Sequence, residues 1–171
     1  SRPNRTWPHR SVSAMVVNQD HYINDVLHAP GDHQLSVAQY DTPYVVVGVR
    51  MLVDPHDPAD VAEVVRLQDQ TTLTTGSATP FVMPSYDETS FNATRAALLE
   101  LAKGIDGFDH AFGRRQDVDA VRHLIGTAAG WGGLPEQEAF YVNVNPGLPV
   151  GNYSLTVGDV PSLRELMRRY R

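Results

Sequence analysis

Asp119-Ala-Val-Arg-His-Leu-Ile-Gly-Thr-Ala-Ala-Gly-Trp-Gly-Gly-Leu-Pro-Glu-Gln-Glu-Ala-Phe-Tyr-Val-Asn-Val-Asn145 reads as a helix, a glycine-rich turn and a strand in succession. Val121, Leu124, Ile125 and Ala128 form one apolar stripe at helical spacing, with Asp117 ahead of them as the predicted cap. Gly126, Gly130, Gly132 and Gly133 lie within and after that stripe. A phosphate cradle needs its glycines before the helix, so that backbone N–H groups point at the anion. Here they predict close packing and a helix end that turns Trp131 back onto the core. His123, on the same helix, is expected to be an interior or boundary histidine held by hydrogen bonds.

Upstream, Ser13–Val17, Gln34–Val37 and Tyr44–Leu52 are rich in β-branched residues and separated by turn residues such as Pro30-Gly31-Asp32, which predicts adjacent antiparallel strands. The third run is almost continuous in valine and is expected to be buried on both faces, with Gly48 marking a bulge or a close approach. Asp57 before Pro58, with Asp60 in the first turn, predicts a helix to about Gln70. Ser85 and Glu88 have capping-box spacing ahead of Phe91, Leu98, Leu99 and Ile105, and Gly104 and Gly107 help to end that helix. Thr71–Ser77 is the loose stretch between the two. Strands are expected again at Ala139–Val144 and Tyr153–Val157. Leu163, Leu166, Met167 and Tyr170, behind a Ser162/Glu165 capping box, predict a C-terminal amphipathic helix. Strands, then about three helices, then strands predict an α+β fold: an antiparallel β layer, a central helical group and that last helix. Segments 1–75 and 76–171 are expected to form one structural unit.

The 171 residues suffice for a real core, and the apolar content of 42% with a formal net charge of -6 argues against a general nucleic-acid binder. Arginines crowd both ends, as solvated termini or a docking surface for an acidic partner. With no cysteine, disulfides, thiolate metal sites and a cysteine nucleophile are excluded. The longest apolar runs are strand length, far short of the roughly 20 residues a membrane span needs. Ser1 is not an initiator methionine, so a longer precursor is one reading of the start.

Three constellations could carry chemistry. Asp20, His21 and Tyr22, directly after a strand, could supply an acid/base pair at a cleft. His21, His28 and His33, with Asp20 and Asp32 near them, could hold a divalent metal, although their spacing matches no established signature and solvated loop residues are the simpler account. Glu136 and Glu138, with Trp131 and Tyr141 nearby, have the carboxylates and aromatics of a ligand or glycan site, and on a strand both would point to one face. No serine sits in a Gly-x-Ser-x-Gly elbow, which excludes a standard α/β-hydrolase.

Several runs in order carry a family resemblance: Met15-Val-Val-Asn-Gln-Asp-His-Tyr22, Arg50-Met-Leu-Val-Asp-Pro-His-Asp-Pro-Ala-Asp-Val61 and Leu67-Gln-Asp69. These resemble the second half of the bacterial domain of unknown function numbered 1254. Val121–Gly133 and Leu155-Thr-Val-Gly-Asp-Val-Pro161 resemble the opening of its partner domain, numbered 1214. The resemblance implies larger relatives with sandwich-like β domains joined by helices, often exported or envelope-associated and without an assigned reaction. It departs at both ends, which implies a short or truncated form. Together these readings predict a non-catalytic or accessory ligand-binding or assembly domain of an exported or envelope bacterial protein. It is expected to need no cofactor, with a divalent metal as the open alternative. Its expected partner is a second copy or another chain covering the C-terminal helix, without nucleic acid or a membrane span. The alternative is a hydrolase of esters or glycans using Asp20 and His21 as acid/base or metal groups.

Overall fold

The computed structural model describes residues 10–105, 107–139, 141, 149 and 151–153. The fold is α+β: strands β1 (Val12–Asn18), β2 (Ile23–Leu27) and β3 (Val45–Met51) precede helices α1 (Pro58–Gln68), α2 (Glu88–Leu101) and α3 (Ala120–Ala129). The sheet is antiparallel with order β2-β1-β3. Of the two C-terminal strands expected from sequence, only Ala139, Tyr141 and Tyr153 are described, and none lies in a strand. The rest of both, and the predicted helix at Ser162–Arg171, lie outside the described residues.

The central strand β1 is buried from Met15 to Asn18, because both of its faces are covered. Met15 and Val17 point one way and pack with Ile23, Val26, Phe112 and Leu134. Each such side chain, fully buried, stabilises the fold by roughly 2 kcal/mol. Asn18 instead donates from Nδ2 to the Tyr40 carbonyl at 2.9 Å, and Tyr40 is itself buried.

Two strand expectations require correction. Gln34–Val37 is not a strand: Ser36 caps a short 3-10 turn, Val37–Gln39, through a reciprocal bond with Gln39. The second strand is instead Ile23–Leu27, whose adjacent polar residues Asn24 and Asp25 break the alternation that marks strands in sequence. Asn24 is the extra residue where the β1–β2 register shifts, since Val17 pairs Ile23 while Val16 pairs Asp25. The valine-rich strand β3 lies at an edge of the sheet among the described residues, and Val46, Val47 and Val49 are exposed rather than buried on both faces. Gly48 pairs regularly with Met15, with no bulge.

The helices start at aspartates. Asp57 accepts from the Ala59 N–H, with Pro58 at the first helical position, as the sequence indicates. For α2 the cap is Asp87, accepting from Ser90 N–H at 2.7 Å, rather than Ser85. For α3 it is Asp119, accepting from both Val121 and Arg122, rather than Asp117. In both cases an acceptor two residues nearer the stripe takes the role, and a carboxylate there also faces the positive helix end. The described chain contains no helix long and apolar enough to cross a membrane.

Candidate functional site

Asn18 organises the turn that leads into the site. Its Oδ1 accepts from the N–H groups of Asp20 and Tyr22, at 3.1 and 2.9 Å, while its own carbonyl accepts from His21 N–H. The tight turn holds His21 at a φ of 66°, in the left-handed region that histidine tolerates better than most side chains. The ring is thereby driven inward and is 2% exposed.

Both His21 nitrogens are engaged. Nε2 accepts from the Gly132 N–H at 2.7 Å, so the proton sits on Nδ1, which donates to Thr127 Oγ1 at 2.7 Å. Trp131 stacks on the ring at 5.2 Å between centroids, and Phe112 meets it edge-on. Burial, with the nearby His123 adding to it, lowers the His21 pKa to about 4. The glycines after α3 are used for this clasp: Gly132 has a φ of 85°, and a Cβ at Gly133 would sit 2.4 Å from Phe112. Trp131 does fold back toward the core, yet 55% of it stays exposed.

Asp20 and Tyr22 are directed to other partners. The Asp20 carboxylate pairs with Arg115 at 2.8 Å, and the Arg115 guanidinium lies over the Tyr22 ring at 4.3 Å. Tyr22 stacks on His123, whose ring nitrogens face the Ala111 and Asp20 carbonyls at 2.9 and 3.1 Å. His123 is thus the hydrogen-bonded interior histidine expected from sequence. The three histidines considered as metal ligands have separate partners: His21 as above, His28 with Glu138 at 2.8 Å, and His33 with the Ala29 carbonyl. Among the described residues no group of three or more His, Asp and Glu is placed to hold a metal.

Glu136 and Glu138 lie on a turn rather than a strand, since Glu138 N–H and Ala139 N–H both bond the Pro135 carbonyl. Glu136 accepts from the His110 N–H at 2.5 Å, and Glu138 pairs with His28. Both line a cleft of about 710 Å³ between β2, the Phe112–Asp117 segment and the Pro135–Glu138 turn. That volume is in the usual range for small-ligand sites. Tyr141 belongs to the neighbouring wall, where its hydroxyl accepts from Leu134 N–H at 2.7 Å and its ring meets Phe112. The small void beside it, about 10 Å³, has room for no more than one water.

The cleft is acidic. Asp25, Asp117, Glu136 and Glu138 line it, together with the guanidinium of Arg114 and the imidazole of His110. Arg114 is committed, donating to the Asn24 carbonyl at 2.9 Å and lying 3.6 Å from Asp25, which also accepts from the Tyr40 hydroxyl. Asn24 Oδ1 is buried without a hydrogen-bond partner, the one such side-chain atom among the described residues. Sequence reading reached Glu136 and Glu138 but not Asp25, Asp117 or Arg114. Their convergence depends on β2 and on the 108–119 loops, which carry no periodic signal.

No family model matches this chain, and no curated protein or solved structure matches it.

Proposed function

We propose that this chain is a ligand-binding and assembly domain that acts through the acidic cleft beside β2 rather than through His21. The observation that carries the reading is the cleft itself. It unites strand, loop and turn around about 710 Å³ and collects four carboxylates, with the Arg114 guanidinium that also lines it already engaged by the Asn24 carbonyl and Asp25. Such a surface favours a neutral hydrogen-bonding or cationic ligand and repels anions. The hydrolytic alternative has less support, because the His21 ring is buried with both nitrogens hydrogen-bonded, and the Asp20 carboxylate holds Arg115. The resemblance to the 1254 and 1214 domains adds the proposal of an exported or envelope-associated bacterial protein.

Assembly rests on β3. An edge strand with exposed Val46, Val47 and Val49 is the kind of surface that a second copy or partner chain covers. Light scattering across a concentration series is expected to give a dimer or larger species, and a monomer throughout would remove this part of the reading.

The cleft is tested by amide chemical-shift mapping with neutral, cationic and anionic compounds. Shifts grouped on residues 23–26, 113–117 and 135–138, reduced in Glu136→Gln and Glu138→Gln, are expected for non-anionic compounds. Shifts elsewhere or nowhere would overturn the proposal.

A further inference from the structure

We propose that the ligand of the cleft is an extended basic peptide segment, which adds as a strand to the outer edge of β2 with its cationic side chains among Asp117, Glu136 and Glu138. The inference rests on the ligand-binding reading of that cleft and names what enters it.

Three observations lead there. The sheet order puts β2 at an edge, so one side of its backbone has no strand beside it among the described residues. The start of that edge is closed, because Ile23 N–H donates to the Gly113 carbonyl at 2.8 Å and the Asn24 carbonyl accepts from Arg114. Beyond Asn24 nothing comparable is found: Asp25 to Leu27 make no backbone bond outside the β1–β2 ladder among the described residues. A sheet edge with unused N–H and C=O groups is the usual template for strand addition, in which main-chain bonds supply affinity and side-chain pockets supply selectivity.

Second, Asp25 and Val26 themselves line the cleft, so the open part of the edge faces a solvent-open cleft of about 710 Å³. Three residues of strand span roughly 10 Å, enough to register a short segment. Third, the opposite wall is acidic. Asp117, Glu136 and Glu138 come from two separate loops, and among the described residues the two glutamate carboxylates meet only the backbone and ring of His110 and the ring of His28. Lysine or arginine on every second position of an added strand would project to one side, toward such carboxylates. A saccharide could hydrogen-bond both the carboxylates and the strand, but only another main chain repeats its N–H and C=O groups in step with a strand edge, which is why the peptide is favoured.

The test is fluorescence anisotropy with the full chain and a labelled heptapeptide alternating Lys and Val. Its controls are the same peptide N-methylated at alternate residues, a Glu/Val analogue and a panel of neutral oligosaccharides. Binding of the Lys/Val peptide is expected, weakened at least tenfold by N-methylation, by replacing Lys with Glu, and by the double variant Glu136→Gln/Glu138→Gln. Circular dichroism identical to the parent protein would establish that the variant is folded. Equal binding of the N-methylated and parent peptides would overturn strand addition. Oligosaccharide binding at the cleft without peptide binding would overturn the peptide and leave the ligand-binding reading standing. Failure of every probe would overturn both.

Discussion

The β1–β2 hairpin with its 108–134 cover and the helices α1 and α2 reach different ends: the helices have the clearer local start signals, and the hairpin has the core. Around His21, Met15, Val16, Val17, Ile23, Ala111 and Ile125 are all buried. The polar groups among them, Asn18, His21 and His123, are hydrogen-bonded. In α1 only Val64 is buried, and in α2 no residue is, although both helices have side-chain caps. Capping and proline placement decide where a helix begins. They do not supply the buried area that makes it resist unfolding, since helical stability in proteins comes mostly from packing an apolar face.

The contrast is most easily broken at His21. His21→Ala removes a buried ring and two hydrogen bonds and puts alanine at a left-handed φ. A loss of about 3 kcal/mol is expected from urea unfolding. A loss below about 1 kcal/mol would mean the clasp contributes little.

The same ring gives a pH dependence. Its folded pKa of about 4 lies below the unfolded value, so the unfolded chain binds the proton first. Stability from this group is complete above about pH 6.5 and falls as pH drops toward the folded value, by roughly 2–3 kcal/mol in all. Urea midpoints at about pH 7.5 and about pH 4.5 should therefore differ more for the parent protein than for His21→Gln. Equal differences would show that other groups carry the dependence.

Gly133→Ala sharpens the picture from the packing side. Its new methyl meets the Phe112 ring, which is packed near Phe108, His21 and Tyr141, so a loss of about 2 kcal/mol is expected in thermal melts. At the other extreme, Phe91→Ala in α2 removes a side chain that is 54% exposed and leans on Tyr86. It should cost under about 0.5 kcal/mol, and a loss as large as that at Gly133 would erase the distinction between the two regions.

What was legible in the chain follows the same division. Asp57 and Pro58 announce α1 because a cap and a proline act within one turn, and the α3 stripe and its glycine-rich exit are equally local. The clasp was not legible, because it joins residues distant in sequence and nothing at position 21 marks a ring that will be buried. Asp20, His21 and Tyr22 read as a polar trio, and only the left-handed turn at His21 separates their partners. β2 was missed for a related reason. Asn24 and Asp25 look like loop residues, and their place in a strand is imposed by pairing with β1 and by Arg114 and Tyr40 reaching across. Edge strand β3 was misjudged because valine content records strand propensity and does not say which neighbours arrive.

The Gly132 to His21 bond also sets an order of events. It spans 111 residues of chain. Closing a loop of that length costs about 4 kcal/mol of chain entropy before any contact forms. During synthesis, the β1–β2 hairpin emerges long before the segment that covers it, and its inward histidine has no partner until α3 and the turn after it are made. The sheet can pair early, but the molecule reaches its final core only when nearly all of its described length is available to fold.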